Sequence, residues 1–219
     1  GNLGMSAFLQ FGNNNLFNGA ENLNGKIKLS LENRQTTINN NDKLFNTREV
    51  FYEIGLRVPK LIMPKLIVDQ LTSSFQMNTN FVFSLAQIQR PDFSSEIITQ
   101  KLGYNWRGSK NIEHQLNLIE LSFSNIGEIN SFIENELEEN PYLSEQFEDK
   151  FIPATNYIFS FNNQKIYKPI NHTYIKAKVE ISGNLLSAIA PLMNFKQNTK
   201  EQYIIFNNSF SQYLRTDLD

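Results

Sequence analysis

Residues 25–32 restrict what this chain can fold into more than any other stretch. After Gly25 they read Lys26-Ile27-Lys28-Leu29-Ser30-Leu31-Glu32, polar and apolar in strict turn. A strand sends successive side chains to opposite faces, so Ile27, Leu29 and Leu31 share one face and Lys26, Lys28, Ser30 and Glu32 the other. Such a segment needs an apolar surrounding on one side and water on the other.

The same two-faced pattern recurs along the chain. Residues 3–11 set Met5, Ala7, Leu9 and Phe11 against Ser6, Phe8 and Gln10, until Gly12-Asn13-Asn14-Asn15 interrupts. Asn39-Asn40-Asn41-Asp42 marks a connection. Residues 49–58 oppose Val50, Tyr52, Ile54, Leu56 and Val58 to Glu49, Phe51, Glu53, Gly55 and Arg57, and Pro59 and Pro64 stop them. Residues 75–89 form the longest strand, with Phe81, Phe83 and Leu85 facing away from Asn80, Val82 and Ser84, and Arg90-Pro91-Asp92 reads as its turn. Residues 97–107 put Ile98, Leu102, Tyr104 and Trp106 opposite Thr99, Lys101, Asn105 and Arg107. Residues 114–125 change phase between Leu118 and Ile119, the mark of a bulge. Residues 153–163, 172–183 and 209–219 complete an antiparallel meander of about nine strands, so the expected class is all-β.

One segment changes period. Ile129, Phe132, Ile133 and Leu137 predict a short helix near 129–139, with Ser131 and Glu134 as a capping box and an end at Asn140-Pro141. Residues 184–208 read as irregular or partly helical.

Composition narrows the classes. The 219 residues suffice for one all-β domain, and 18 Phe and 8 Tyr against one Trp and ten Gly favour strands. A net charge of −2 without a basic run gives no footprint for a nucleic-acid backbone. The absence of Cys removes disulfides, thiolate nucleophiles and Cys-based zinc sites. No run approaches the roughly 20 apolar residues of a membrane helix, and the best, residues 185–193, is broken by Ser187 and Pro191. A membrane β-barrel stays open, because its strands are about 9–11 alternating residues.

No chemistry-bearing constellation emerges. His114 and His172 lack metal-ligand spacing, and Glu134, Glu136, Glu138 and Glu139 read as the solvated face of the helix. Asn171-His172-Thr173 and Asn207-Asn208-Ser209 match a glycosylation acceptor pattern. No Ser/His/Asp order, GxSxG or phosphate loop occurs. The expectation is a protein that is not an enzyme, without catalytic residue, cofactor or metal site.

The polar faces carry both signs of charge: Lys26, Lys28, Glu32, Glu49, Glu53, Arg57, Lys101, Arg107, Lys176, Lys178 and Glu180. That suits a wet barrel lumen crossed by ion pairs. It equally suits the solvated face of a soluble β-sandwich, a glycan-binding module using the Asn- and aromatic-rich loops. Phe11, Phe75, Tyr104, Trp106 and Phe161 fit interfacial girdles or core edges alike.

Whole phrases resemble a known family. They are Gly1-Asn2-Leu3-Gly4 leading to Asn15-Leu16-Phe17-Asn18-Gly19-Ala20-Glu21, then Gln89-Arg90-Pro91-Asp92-Phe93, and Gly103-Tyr104-Asn105-Trp106-Arg107. Asn140-Pro141-Tyr142-Leu143 with Phe147-Glu148-Asp149, residues 157–164, Glu180-Ile181-Ser182-Gly183-Asn184-Leu185-Leu186 and the stretch 211–219 follow in order. Together they resemble the membrane barrel of the bacterial surface-antigen family, the insertases and translocases of the BamA and TamA type, with most likeness to the TamL-like branch of Bacteroidetes. The resemblance implies the outer membrane of a Gram-negative bacterium and a barrel of sixteen strands preceded by POTRA domains. Residues 1–219 would be the N-terminal half of that barrel, with POTRA domains and closing strands outside them.

The resemblance makes Met5, Ser6, Ala7, Phe8, Leu9, Gln10 and Phe11 a gate strand that pairs loosely with the last strand, and turns the eleven charges toward the lumen. Its implied partners are the lipid bilayer, client outer-membrane proteins and the remaining strands of the barrel. The family's long plug loop with an Arg-Gly-Asp-like tip has no counterpart here. Nine strands leave two open edges, which lipid cannot satisfy, so the segment is expected to need the rest of its polypeptide. The insert at 126–150 would lie on the side where connections are normally short.

Overall fold

Each alternating stretch becomes a strand, and each strand pairs with the next. The computed structural model describes residues 3–33, 45–62, 75–140, 147–164, 172–183, 204–205, 208–209 and 212–218. The strands are β1 (Leu3–Asn14), β2 (Asn22–Asn33), β3 (Thr47–Val58), β4 (Phe75–Gln89), β5 (Phe93–Ser109) and β6 (Ile112–Ile129), followed by helix α1 (Ser131–Glu139). Then come β7 (Lys150–Asn162), β8 (Tyr174–Ser182), β9 (Ile204–Ile205), β10 (Asn208–Ser209) and β11 (Tyr213–Leu218). Nine of them form one antiparallel sheet in the order β1-β2-β3-β4-β5-β6-β7-β8-β11, and β9 pairs only with β10. The sheet is not closed: β1 and β11 are its edges.

β4 has the bounds expected from its alternation, and most other strands run longer. β1 continues through Gly12-Asn13-Asn14, expected to break it, because Asn22, Leu23 and Asn24 of β2 carry the ladder to its end. The break comes at Asn15, whose φ of 83° lies in the left-handed region that Asn tolerates. The Arg90-Pro91-Asp92 turn is closed by Arg90 N donating to the Phe93 carbonyl at 2.9 Å. The register slips where β6 changes phase, between Asn117 and Glu120 against β7 and between Leu102 and Gly103 against β5. This bulge keeps Leu116 and Ile119 on one face although their positions differ in parity.

Two local expectations are corrected. The first helical bond runs from Glu134 N to the Asn130 carbonyl at 3.0 Å, so Asn130 rather than Ser131 caps α1; an Asn side chain serves that position as well as Ser does. β6 extends to Ile129, which shortens the insert to the residues between it and β7. The connection at 39–42, Pro64, Pro141 and residues 184–203 lie outside the described residues, as do Asn171 and Asn207 of the glycosylation patterns.

Burial is inverted relative to an ordinary core. Asn156 is 3 % exposed and Ser182 fully buried, whereas Leu9, Ile54, Phe83, Val179 and Leu214 stand open. Opposed residues share a face, so the ladder Leu9, Ile27, Tyr52, Leu85, Ile98, Phe123, Phe151 traces one apolar surface across seven strands. Val179 and Ile181 continue it on β8, opposite Tyr157 and Thr155. The only other sheet among the described residues is the two-stranded β9–β10 pair, which touches β7.

Among the described residues, a strap at Lys60 and Ile62 roofs part of the apolar face. Thr79 Oγ1 donates to the Lys60 carbonyl at 2.7 Å and accepts from Ile62 N at 2.9 Å, and Tyr104 OH donates to the Ile62 carbonyl at 3.0 Å. This strap explains why Thr79 and Tyr104 are buried on a face where Leu9, Ile54 and Phe83 stand open.

Candidate functional site

The opposite face is polar from edge to edge. At one level Asn14, Asn22, Arg57, Asn80, Gly103, Asn117, Asn156, Glu180 and Arg215 stand opposite one another in turn, one from each of the nine strands. Their side chains link sideways. Asn22 Nδ2 donates to Asn14 Oδ1, Arg57 Nε to Asn80 Oδ1 at 3.3 Å, and Asn117 Nδ2 to Asn156 Oδ1 at 2.8 Å. Asn156 Nδ2 donates in turn to Glu120 Oε2 at 3.1 Å, and Glu120 Oε1 meets Lys101 Nζ at 2.8 Å. Farther along, Tyr213 OH donates to Glu180 Oε1 at 2.8 Å and Lys178 Nζ lies 2.6 Å from Glu180 Oε2.

Two glycines make room for this belt. A Cβ on Gly103 would sit 2.5 Å from Asn117 Oδ1, and one on Gly55 would sit 2.6 Å from Asn24 Oδ1. The missing side chains let each Asn amide lie across the neighbouring strand. Between them a cavity of about 500 Å³ is lined by Gln10, Asn22, Asn24, Arg57, Asn80, Lys101, Gln115 and Asn117. Side-chain amides offer donor and acceptor together, so such a wall hydrates well and carries little net charge.

All eleven predicted charges lie on this polar face. Lys26 stands opposite Glu53, Lys28 opposite Phe51, Glu49 opposite Ser30, Glu32 opposite Thr47 and Arg57 opposite Asn80. Lys101 stands opposite Glu120, Arg107 opposite Glu113, Lys176 opposite Ser160, Lys178 opposite Ile158 and Glu180 opposite Asn156. They are spread over the wall rather than gathered, and only Arg57 and Lys101 reach the cavity. Arg107 Nε approaches Glu113 Oε1 at 3.7 Å. Reading the sequence for charges missed the amides: Asn80, Asn117 and Asn156 stand at the same alternation positions as the charges and were legible there.

The predicted gate residues Met5, Ser6, Ala7, Phe8, Leu9, Gln10 and Phe11 all lie on the β1 edge strand and are exposed. Ala7 faces Leu29 and Leu9 faces Ile27 across the ladder. Phe8 points to the polar side, with Lys26 Nζ 5.9 Å above its ring. Phe11 lies over Gly25 of β2, where a Cβ would meet its ring.

Aromatic groups mark two levels of the apolar face. Trp106 and His114 stack at 5.1 Å, His114 Nδ1 and Tyr157 OH share a hydrogen bond of 2.7 Å, and Phe159 lies 5.7 Å from His114. This places His114 on the apolar face of the sheet and not on its polar face. Phe123 and Phe151 stack at 4.7 Å toward the other end. His114 and Phe123 are about 27 Å apart along β6, at roughly 3.4 Å per residue with one residue absorbed by the bulge.

Outside the strands, Glu21 closes the β1–β2 turn: Phe17 N and Gly19 N donate to its Oε2 at 3.2 and 3.0 Å. Its own backbone N–H most of all, and then those of Gly19 and Phe17 with nearby Lys60, hold its carboxyl below the usual carboxylate range against the opposing effect of desolvation. A carboxylate depressed by folding stabilises the turn above its unfolded pKa and loses that effect as pH falls through the folded value. Amide exchange at Phe17 and Gly19 is therefore expected to quicken in acid, below the ordinary Glu range, and in Glu21→Gln to be fast and insensitive to pH beyond the intrinsic chemistry. Equal protection in both proteins at neutral pH would contradict this.

Among the described residues no group of three or more His, Asp or Glu is placed to hold a metal, and no helix is long and apolar enough to cross a membrane. Compared with family models, curated proteins and solved structures, the chain finds no match in any of the three.

Proposed function

We propose that the chain forms part of an outer-membrane β-barrel of the surface-antigen type and takes part in inserting, assembling or translocating outer-membrane proteins. What carries the reading is the pairing of faces: an open apolar surface across the meander, backed by a hydrogen-bonded polar belt. A soluble protein of this size rarely exposes so continuous an apolar surface, whereas lipid requires one. The two aromatic levels support it, because aromatic girdles flank the apolar band of membrane barrels. In this reading the belt lines the lumen, further strands close the sheet between β1 and β11, and β1 is the edge to which a client strand adds by backbone pairing. No covalent chemistry is involved.

The test is Ala7→Lys with Leu9→Lys in the full-length protein. Each puts a charge on the apolar face of β1, expected to cost up to about 2–4 kcal/mol at mid-membrane. Membrane integration and client assembly are both expected to fall. Unchanged values of both would overturn the proposal, and a monodisperse protein in detergent-free buffer would favour the soluble glycan-binding module instead.

A further inference from the structure

At the end of the sheet where β4 turns into β5, the apolar face ceases to be apolar. Val50, Gln87, Glu96 and Asn125 stand opposite one another, one step beyond the row Tyr52, Leu85, Ile98, Phe123 and on the same face. Arg48 and Gln89 follow one step farther. These side chains line a shallow cleft of about 510 Å³. It holds two full charges of opposite sign. Glu96 Oε2 accepts from Gln87 Nε2 at 2.8 Å. Arg48 is exposed, and no ion pair to it is formed among the described residues. Arg48 and Glu96 stand two strands and one step apart, about 12 Å between their backbones. An Arg side chain and a small dipolar group together span that distance.

A cation, an anion and a rim of amides, with an open apolar wall rising from one side, complement an amphiphile with a dipolar head. We propose that this cleft binds the headgroup of a zwitterionic phospholipid bearing a primary ammonium, the phosphate on Arg48 and the ammonium on Glu96. The acyl chains then lie along Tyr52, Leu85, Ile98 and Phe123. Guanidinium suits phosphate oxygens, and Glu96 with the Gln89 and Asn125 carbonyls offers acceptors to an ammonium that has three N–H donors. A quaternary ammonium has none and is held by aromatic faces, of which the cleft has no example. The inference rests on the membrane reading above.

The experiment places the full-length protein in vesicles of equimolar phosphatidylethanolamine and phosphatidylcholine, extracts it in mild detergent and quantifies the retained lipid by mass spectrometry. Ethanolamine lipid is expected to be enriched about tenfold, the effect of one charge-assisted hydrogen bond. The enrichment is expected to vanish in Glu96→Gln, and total retained phospholipid to fall in Arg48→Gln. Integration is read separately through Trp106, the only tryptophan of residues 1–219, in protein whose tryptophans outside these residues are replaced by Phe, so that quenching by brominated acyl chains reports on Trp106 alone. Equal retention of both lipids by protein with quenched Trp106 overturns the headgroup site alone. Unquenched Trp106 overturns the membrane reading and the site with it.

Discussion

Phe83→Arg is expected to lower the stability of the membrane-integrated protein by about 2–4 kcal/mol, the cost of arginine at the midplane of a barrel's lipid face. Ser84→Arg, one residue along, is expected to change it by less than about 1 kcal/mol. The contrast follows from the pleat. Phe83 is exposed on the apolar face opposite Ile54, whereas Ser84 belongs to the polar face and stands opposite Glu53, which can pair with the new charge. Urea titrations in vesicles measure the difference. Similar losses in both variants would show that the two faces do not meet different solvents, and the barrel reading would fall with them. In a soluble protein the order reverses or vanishes, because an exposed Phe83 gives way to Arg at little cost.

The second large effect is expected in the belt. Asn156 is nearly inaccessible, accepts from Asn117 and donates to Glu120. Asn156→Leu keeps the branched heavy-atom shape but leaves an amide and a carboxylate oxygen without this partner, each costing about 1–3 kcal/mol where water cannot reach. Glu120 retains Lys101, so the loss falls mainly on Asn117. The double variant Asn117→Leu/Asn156→Leu is therefore expected to be no worse than Asn156→Leu alone, and a double-mutant cycle reads the coupling. Strict additivity of the two single losses would mean that the belt is a row of independent side chains.

Much of the sheet was legible because period-2 alternation is a geometric property of strands. β4 was readable to the residue, and the phase change at Leu118 announced the bulge because a two-faced strand cannot keep its apolar side without one. Sequence misled where residue type carried two meanings. Asn13 and Asn14 resemble turn residues and instead extend β1, since pairing with β2 outweighs their weak strand preference. The belt went unread for the same reason: asparagine signals loops in isolation, and only the register shows Asn80, Asn117 and Asn156 at one level. The strap at Lys60 and Ile62 depends on Thr79 and Tyr104, distant in sequence, and no local pattern encodes such a bond. The cap at Asn130 was a matter of one residue between two equally good capping types.

The sideways bonds of the polar wall are not evenly distributed. β5, β6 and β7 are stitched by Lys101–Glu120, Thr99–Ser122, Asn117–Asn156 and Asn156–Glu120, in addition to their backbone ladders. β1 is tied to β2 by the ladder, with an amide bond at the turn end and one ring beneath a lysine. The wall is accordingly stiff in its middle and compliant toward its first strand. Thermal bending, or a pull from outside, will concentrate at β1, which peels from the end where Leu3 faces Asn33 toward the turn while the central strands keep their shape.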